Sequence, residues 1–180
     1  MLFGRSVGLD AITILRQSLK QGHDIIEQGV AGLSREQLNH RTPGSTIHSI
    51  AVVYAHTVMS EDYLINNKVH PQPLLFERSA WADKVGIDMI PFGSSDADRW
   101  VASVSDCNFE ALRAYAEEVY RETDEYLGTL SEADLDATVT FIDEMSIGAY
   151  LANVLVWHAV HHGGEICALK GVLGRKGLPF

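Results

Sequence analysis

Apolar and polar positions along this chain recur with the 3.6-residue period of a helix in four long stretches, and almost nowhere alternate as a strand would. The first stretch runs from about Val7 to Val30, with Leu9, Ile12, Leu15, Leu19 and Ile26 in one stripe. Gly22 and Gly29 interrupt it and weaken its helical preference. Leu33 to Leu38 then reads as a short capped turn, with Ser34 and Gln37 at capping-box spacing, and Pro43-Gly44-Ser45 is a break. A second helix is expected from about Thr46 to Asn67, ending before Pro71. A third runs from about Phe109 to Leu130 behind the cap Asn108, with Leu112, Tyr115, Val119, Glu122 and Tyr126 on its stripe. The fourth opens at Ser146 and reaches about Leu173, stopping at Gly174.

Between Asn67 and Asp106 the periodicity dissolves. Pro71, Pro73, Pro91, Gly86, Gly93 and the Ser94-Ser95-Asp96 cluster mark a long irregular connection between helices two and three, with a short helix around Trp81. Connections of this length usually have a task. Here Trp81, Phe92 and Trp100 are candidates to cap a pocket, or to pack the flank or a dimer interface. Ser131 to Glu144 forms a second connection, in which Val139 to Ile142 is extended. The expectation is an all-α chain, a single four-helix-bundle domain over residues 1–180, whose interior is a normal place for a metal site.

Composition narrows the partners. The 180 residues suffice for a sizeable core, and the net charge is −10 with the 14 Lys and Arg unclustered, which argues against nucleic acid. No stretch is long and apolar enough to span a bilayer, and Met1 to Asp10 lacks the basic-then-apolar order of a secretory signal. Cys107 and Cys167 form no CxxC pair and read as thiols in a reducing compartment. Together these favour a cytoplasmic protein that contacts no membrane, and leftover apolar helix faces point to a homodimer.

The chemistry concentrates in the fourth helix. His158 and His162 are four residues apart, a rotation of about 40° and a rise of roughly 6 Å, so both imidazoles point the same way at metal-ligand spacing. They share a face with Leu151, Val154, Leu155, Glu165 and Leu169, where an unpartnered imidazole pair would be costly. Two imidazoles leave a metal site incomplete. His56, in the middle of the apolar face Val52, Val53, Met59 and Tyr63 of the second helix, is the best third ligand. His48 is expected to be exposed, His161 to face a neighbour or solvent, and His23, His40 and His70 to lie in polar or loop surroundings. Glu165 has three possible roles: fourth ligand, acceptor for an imidazole N–H, or general base. Glu61 points away from His56 and reads as structural. No Glu-x-x-His is present, which argues against a di-iron bundle.

A helix-two histidine followed by a helix-four H-x-x-x-H resembles the DinB/YfiT-like family of metalloenzymes. The likeness spans nearly the whole chain, including the Leu33 to Leu38 turn, the Ile47 to Glu61 segment and the ending Leu169 to Pro179. The family's signature commonly reads H-x-x-x-H-R-G-Q. Here both histidines are matched, while Gly163 stands for the arginine and Glu165 for the glutamine. The resemblance implies a four-helix bundle holding a divalent metal on His56, His158 and His162, with zinc or nickel favoured and iron possible. It also implies a small-molecule substrate. The leading activity is transfer of a low-molecular-weight thiol of the bacillithiol or mycothiol type, with the metal activating thiolate or water. The alternatives are a metal-dependent hydrolase and a non-enzymatic, stress-associated metal-binding bundle.

Overall fold

The N-terminal caps give each helix its starting point. In the computed structural model, which describes residues 10–93 and 95–178, the Thr13 amide donates to Asp10 Oδ1 at 2.7 Å and opens α1 (Ala11–Val30). The expected start at Val7, with Leu9, lies outside the described residues. The Ser34/Gln37 capping box is present, each partner satisfying the other's backbone amide, and it opens α2 (Arg35–Asn39). The next helix, α3 (Ile50–Tyr63), begins four residues later than the expected Thr46, with Ser49 at its cap position. Ser45 accounts for the delay: its hydroxyl accepts the Ile47 amide at 3.0 Å and offers the backbone a local alternative to the helix.

At Leu64 the helix widens into a π-helical segment (Leu64–Val69) that occupies the end of the expected second helix. The long connection that follows holds three short helices where the sequence suggested one: α4 (Leu75–Arg78), α5 (Trp81–Val85) and α6 (Ala97–Val104). One carboxylate pins this connection to the bundle. Asp62, 1 % exposed, accepts from Asn66 Nδ2 and the Leu75 amide on one oxygen, and from the Phe76 amide and the Tyr115 hydroxyl on the other. Four donors are what a buried charge requires.

Asn108 caps α7 (Phe109–Leu127), whose buried positions Leu112, Tyr115 and Val119 follow the expected stripe. After α8 (Glu132–Leu135), strands β1 (Thr138–Thr140) and β2 (Glu144–Ser146) pair antiparallel with Val139 opposite Met145. The Ser146 hydroxyl then accepts the Ala149 amide and opens α9 (Ile147–Tyr150). That helix continues through a second π-helical segment (Leu151–Val156) into α10 (Trp157–Val172). The Tyr150 hydroxyl at the start of one π segment donates to the Leu64 carbonyl at the start of the other, and Tyr126 donates to Val69. These bonds engage carbonyls where the regular helical ladder changes pitch.

α3 is the central helix. From Ile50 to Asp62 every residue is buried except His56, which is half-buried. α1 lies against α10 through glycines that the sequence pattern read only as weak points. A Cβ on Gly22 would stand 3.0 Å from Ala159 Cβ, one on Gly163 3.0 Å from Ile25 Cγ2, and one on Gly29 2.5 Å from Ile166 Cγ2. Among the described residues no helix is long and apolar enough to cross a membrane.

The two kinds of helical glycine predict opposite outcomes. Gly29→Ala forces Ile166 aside and should lower the free energy of unfolding by about 1–3 kcal/mol. Gly164→Ala adds its methyl to open space and should raise it by about 0.5–1 kcal/mol. Denaturant midpoints of the two variants check both signs.

Candidate metal centre

The α-helical geometry of Trp157–Val172 sets His158 and His162 side by side, with ring centroids 4.5 Å apart. Both face His56 on α3, whose ring lies 5.0 Å from His158 and 4.9 Å from His162. One nitrogen from each of the three imidazoles falls within 4.8 Å of the others, and Nε2 of His56 and Nε2 of His158 are 3.1 Å apart. All three side chains are half-buried. The structure thus brings together the three histidines singled out in the sequence.

The outer nitrogens show which atoms remain for a cation. Glu165 Oε2 lies 2.8 Å from His162 Nδ1, so that nitrogen donates and Nε2 of His162 is left as the lone-pair donor. His56 Nδ1 faces the Ser60 hydroxyl at 3.5 Å, a weak contact that also leaves Nε2 inward. Glu165 stands behind His162 and is not among the converging ligand atoms, which favours the second of its three possible roles. Burial, reinforced by the neighbouring His162, holds His56 down to about 4, and burial with His162 and His56 alongside holds His158 down to about 3. Two neutral imidazoles with free lone pairs, and a third oriented by a carboxylate, fit a divalent cation and leave at least one coordination position open.

The remaining histidines separate cleanly. His48 and His161 are exposed, and His161 stacks on exposed Trp157 with centroids 4.7 Å apart. His70 stacks on Tyr126 at 4.5 Å. His23 departs from expectation: it is buried, with Nε2 2.7 Å from Oε2 of Glu61. The available signal was position, since His23 falls on the α1 stripe between Leu19 and Ile26. The aromatic residues of the long connection pack the bundle's flank. Trp81 lies against Tyr115, Trp100 is buried with its indole N–H on the Asp88 carbonyl, and Phe92 stacks on Tyr63. Gly163, where the signature carries arginine, is taken up by the approach of α1 to α10.

Purified protein should carry near-stoichiometric divalent metal that His56→Ala and His158→Ala abolish, as read by elemental analysis. Glu165→Ala, which removes only the partner of His162 Nδ1, should weaken metal affinity by about 10- to 100-fold in chelator competition. The metal-free protein has its own pH signature. The folded state holds His56 and His158 below their ordinary value of 6.5, so the unfolded chain binds more protons below that pH. Their contribution is complete above 6.5 and is lost as pH falls towards 4 and 3. Thermal midpoints of the metal-free protein should drop over this range, and His158→Gln should flatten the drop.

Comparison with known proteins agrees with this geometry. The family model described as the DinB superfamily matches residues 18–166. A solved structure from Enterococcus faecalis, described as the conserved protein of a locus, superposes with a TM-score of 0.75 at 20% identity, over 90% of this chain and 96% of that one. At that identity the likeness shows the fold alone. No curated protein matches the chain. The family match, spanning most of the chain and containing His56, His158, His162 and Glu165, shows that this protein belongs to the DinB superfamily.

Proposed function

We propose that this protein is a divalent-metal-dependent enzyme that transfers a low-molecular-weight thiol, of the bacillithiol or mycothiol type, to an electrophilic small molecule. The observation that carries the reading is the convergence of three imidazole nitrogens, one of them oriented by Glu165, at the half-buried position of an otherwise buried helix. A structural metal site closes all its positions with protein ligands, whereas three histidines leave room for a reactant. Zinc or nickel bound there would supply the positive charge that favours a thiolate, or a hydroxide, near neutral pH.

The chain's own residues do the rest. Glu165 Oε2 holds the proton on His162 Nδ1, which fixes the ring and makes Nε2 a better donor. The Glu165 side chain is about a third exposed, and in this reading its carboxylate also accepts the proton that an incoming thiol loses. The neutral His56 and His158 complete the ligand set without competing for that proton.

Protein reloaded with zinc or nickel, given bacillithiol or mycothiol and an alkyl halide, should consume the halide only when the thiol is present. The activity should fall to background in His158→Ala. Cleavage of an activated ester without thiol would replace this reading with a hydrolase. Loss of neither substrate by the metal-loaded protein would leave a metal-binding bundle.

A further inference from the structure

The outer face of α10 carries a pattern that the metal centre does not use. Seven positions of this helix are exposed, from Trp157 to Val172, and none of them is Asp, Glu, Lys or Arg. Five of the seven, Trp157, Val160, Gly164, Ala168 and Gly171, follow one another at intervals of three, four, four and three residues. At about 100° per residue they form one line within roughly 80° of arc. Measured from Gly164, His158, His162 and Glu165 lie about 100–160° around the helix, on another side. α1 extends the same face. It runs parallel to α10, with Gly22 against Ala159 and Gly29 against Ile166. Ile14, Ser18, Gln21, Ile25 and Gln28 keep heptad spacing along its neighbouring edge, again without a formal charge.

The packing of a single chain leaves this line unexplained. Trp157 is 59 % exposed and Val160 43 %, whereas Trp81 and Trp100 are buried. The Trp157 ring is nevertheless held in place, stacked on His161 with centroids 4.7 Å apart and planes 19° from parallel. A large side chain ordered before contact costs little to immobilise in an interface. Further along the line the helix backbone itself is the surface, since a Cβ at Gly164 or Gly171 would meet nothing within 4 Å.

The order of large and small residues indicates what fits there. Val160 and Trp157 stand four and seven positions before Gly164, and Ala168 and Gly171 stand four and seven after it. A two-fold axis at Gly164 therefore sets Trp157 opposite Gly171 of an antiparallel copy, Val160 opposite Ala168, and Gly164 opposite its own counterpart. Large meets small at each step of one register. At roughly 8 Å between helix axes, alanine would fit at the axis as well as glycine. Charge favours the same occupant. The chain carries a net charge of −10, so two copies repel through most of their surfaces and can approach through a face that has none.

We propose that this protein pairs with a second copy of itself through the α1–α10 face, with α10 antiparallel to its mate about Gly164. Both metal centres stay open in such a pair, because the three histidines face α3.

Sedimentation velocity of the full-length protein at neutral pH, from about 1 to 100 μM, tests the pairing. The wild type should form a species of twice 19.8 kDa, with Kd at or below about 10 μM. Trp157→Ala and Val160→Glu should each raise Kd at least about tenfold. Gly171→Trp alone sets two tryptophans against each other at both ends of the contact and should raise Kd as well. Combined with Trp157→Ala, it moves the large residue to the other side of the axis and should recover most of the lost affinity. Every substituted position is exposed, so the variants keep the fold, which far-UV circular dichroism checks. A wild-type monomer at all concentrations, a dimer whose Kd is unmoved by Trp157→Ala or by Val160→Glu, or a double variant no tighter than Trp157→Ala would each overturn the proposal.

Discussion

The close approach of α1 to α10 is the constraint on which the rest of the molecule depends. Gly22, Gly29 and Gly163 let the two helices approach so closely that a Cβ at any of them would press on its neighbour, which limits how far α10 can roll or slide along its partner. That contact fixes which side of α10 is turned towards α3, and therefore where His158 and His162 point. A bulky side chain at Gly163 would separate the helices before it reached the metal centre. The chain has given this position, where the family signature carries arginine, to packing.

α3 meets the opposite demand. Buried on all sides, it carries His56, Thr57, Ser60, Glu61 and Asp62 in a helix that has no solvent-facing stripe for them. Each is dealt with separately. Thr57 donates to the Val53 carbonyl, Asp62 gathers four donors from neighbouring elements, and Glu61 meets His23. Among the described residues His56 and Ser60 meet only in a 3.5 Å contact, and His56 faces the two imidazoles of α10. His56, Glu61 and Asp62 thus mark the junctions of this helix with α10, with α1 and with α4 and α7.

Much of this was legible in the sequence, because an amphipathic period records which face is buried. The stripes of α1, α7 and α10 and the caps at Ser34, Asn108 and Ser146 stand where the pattern placed them. His158 and His162 could be matched because ligand spacing on one helix is a local property, and His56 because it interrupts the apolar face of another. Features set by tertiary contact were not legible. The first π-helical segment receives tyrosine hydroxyls from other helices at both of its ends, and the late start of α3 goes with a single serine hydroxyl. His23 looked polar beside Lys20 and Asp24, but its partner is 38 residues away on α3. The glycines of α1 read as weakness because a one-dimensional pattern does not show the helix that fills the space they leave.

The near-complete burial of α3 has a kinetic consequence. Between Ile50 and Asp62 the helix opens towards solvent at one residue, and that residue is a ligand of the proposed cation. Cation and reactant would share this doorway. On the reading proposed above, a thiol bound there would lie between the ion and solvent, so metal loading would precede the first turnover and bound thiol would slow the loss of the ion.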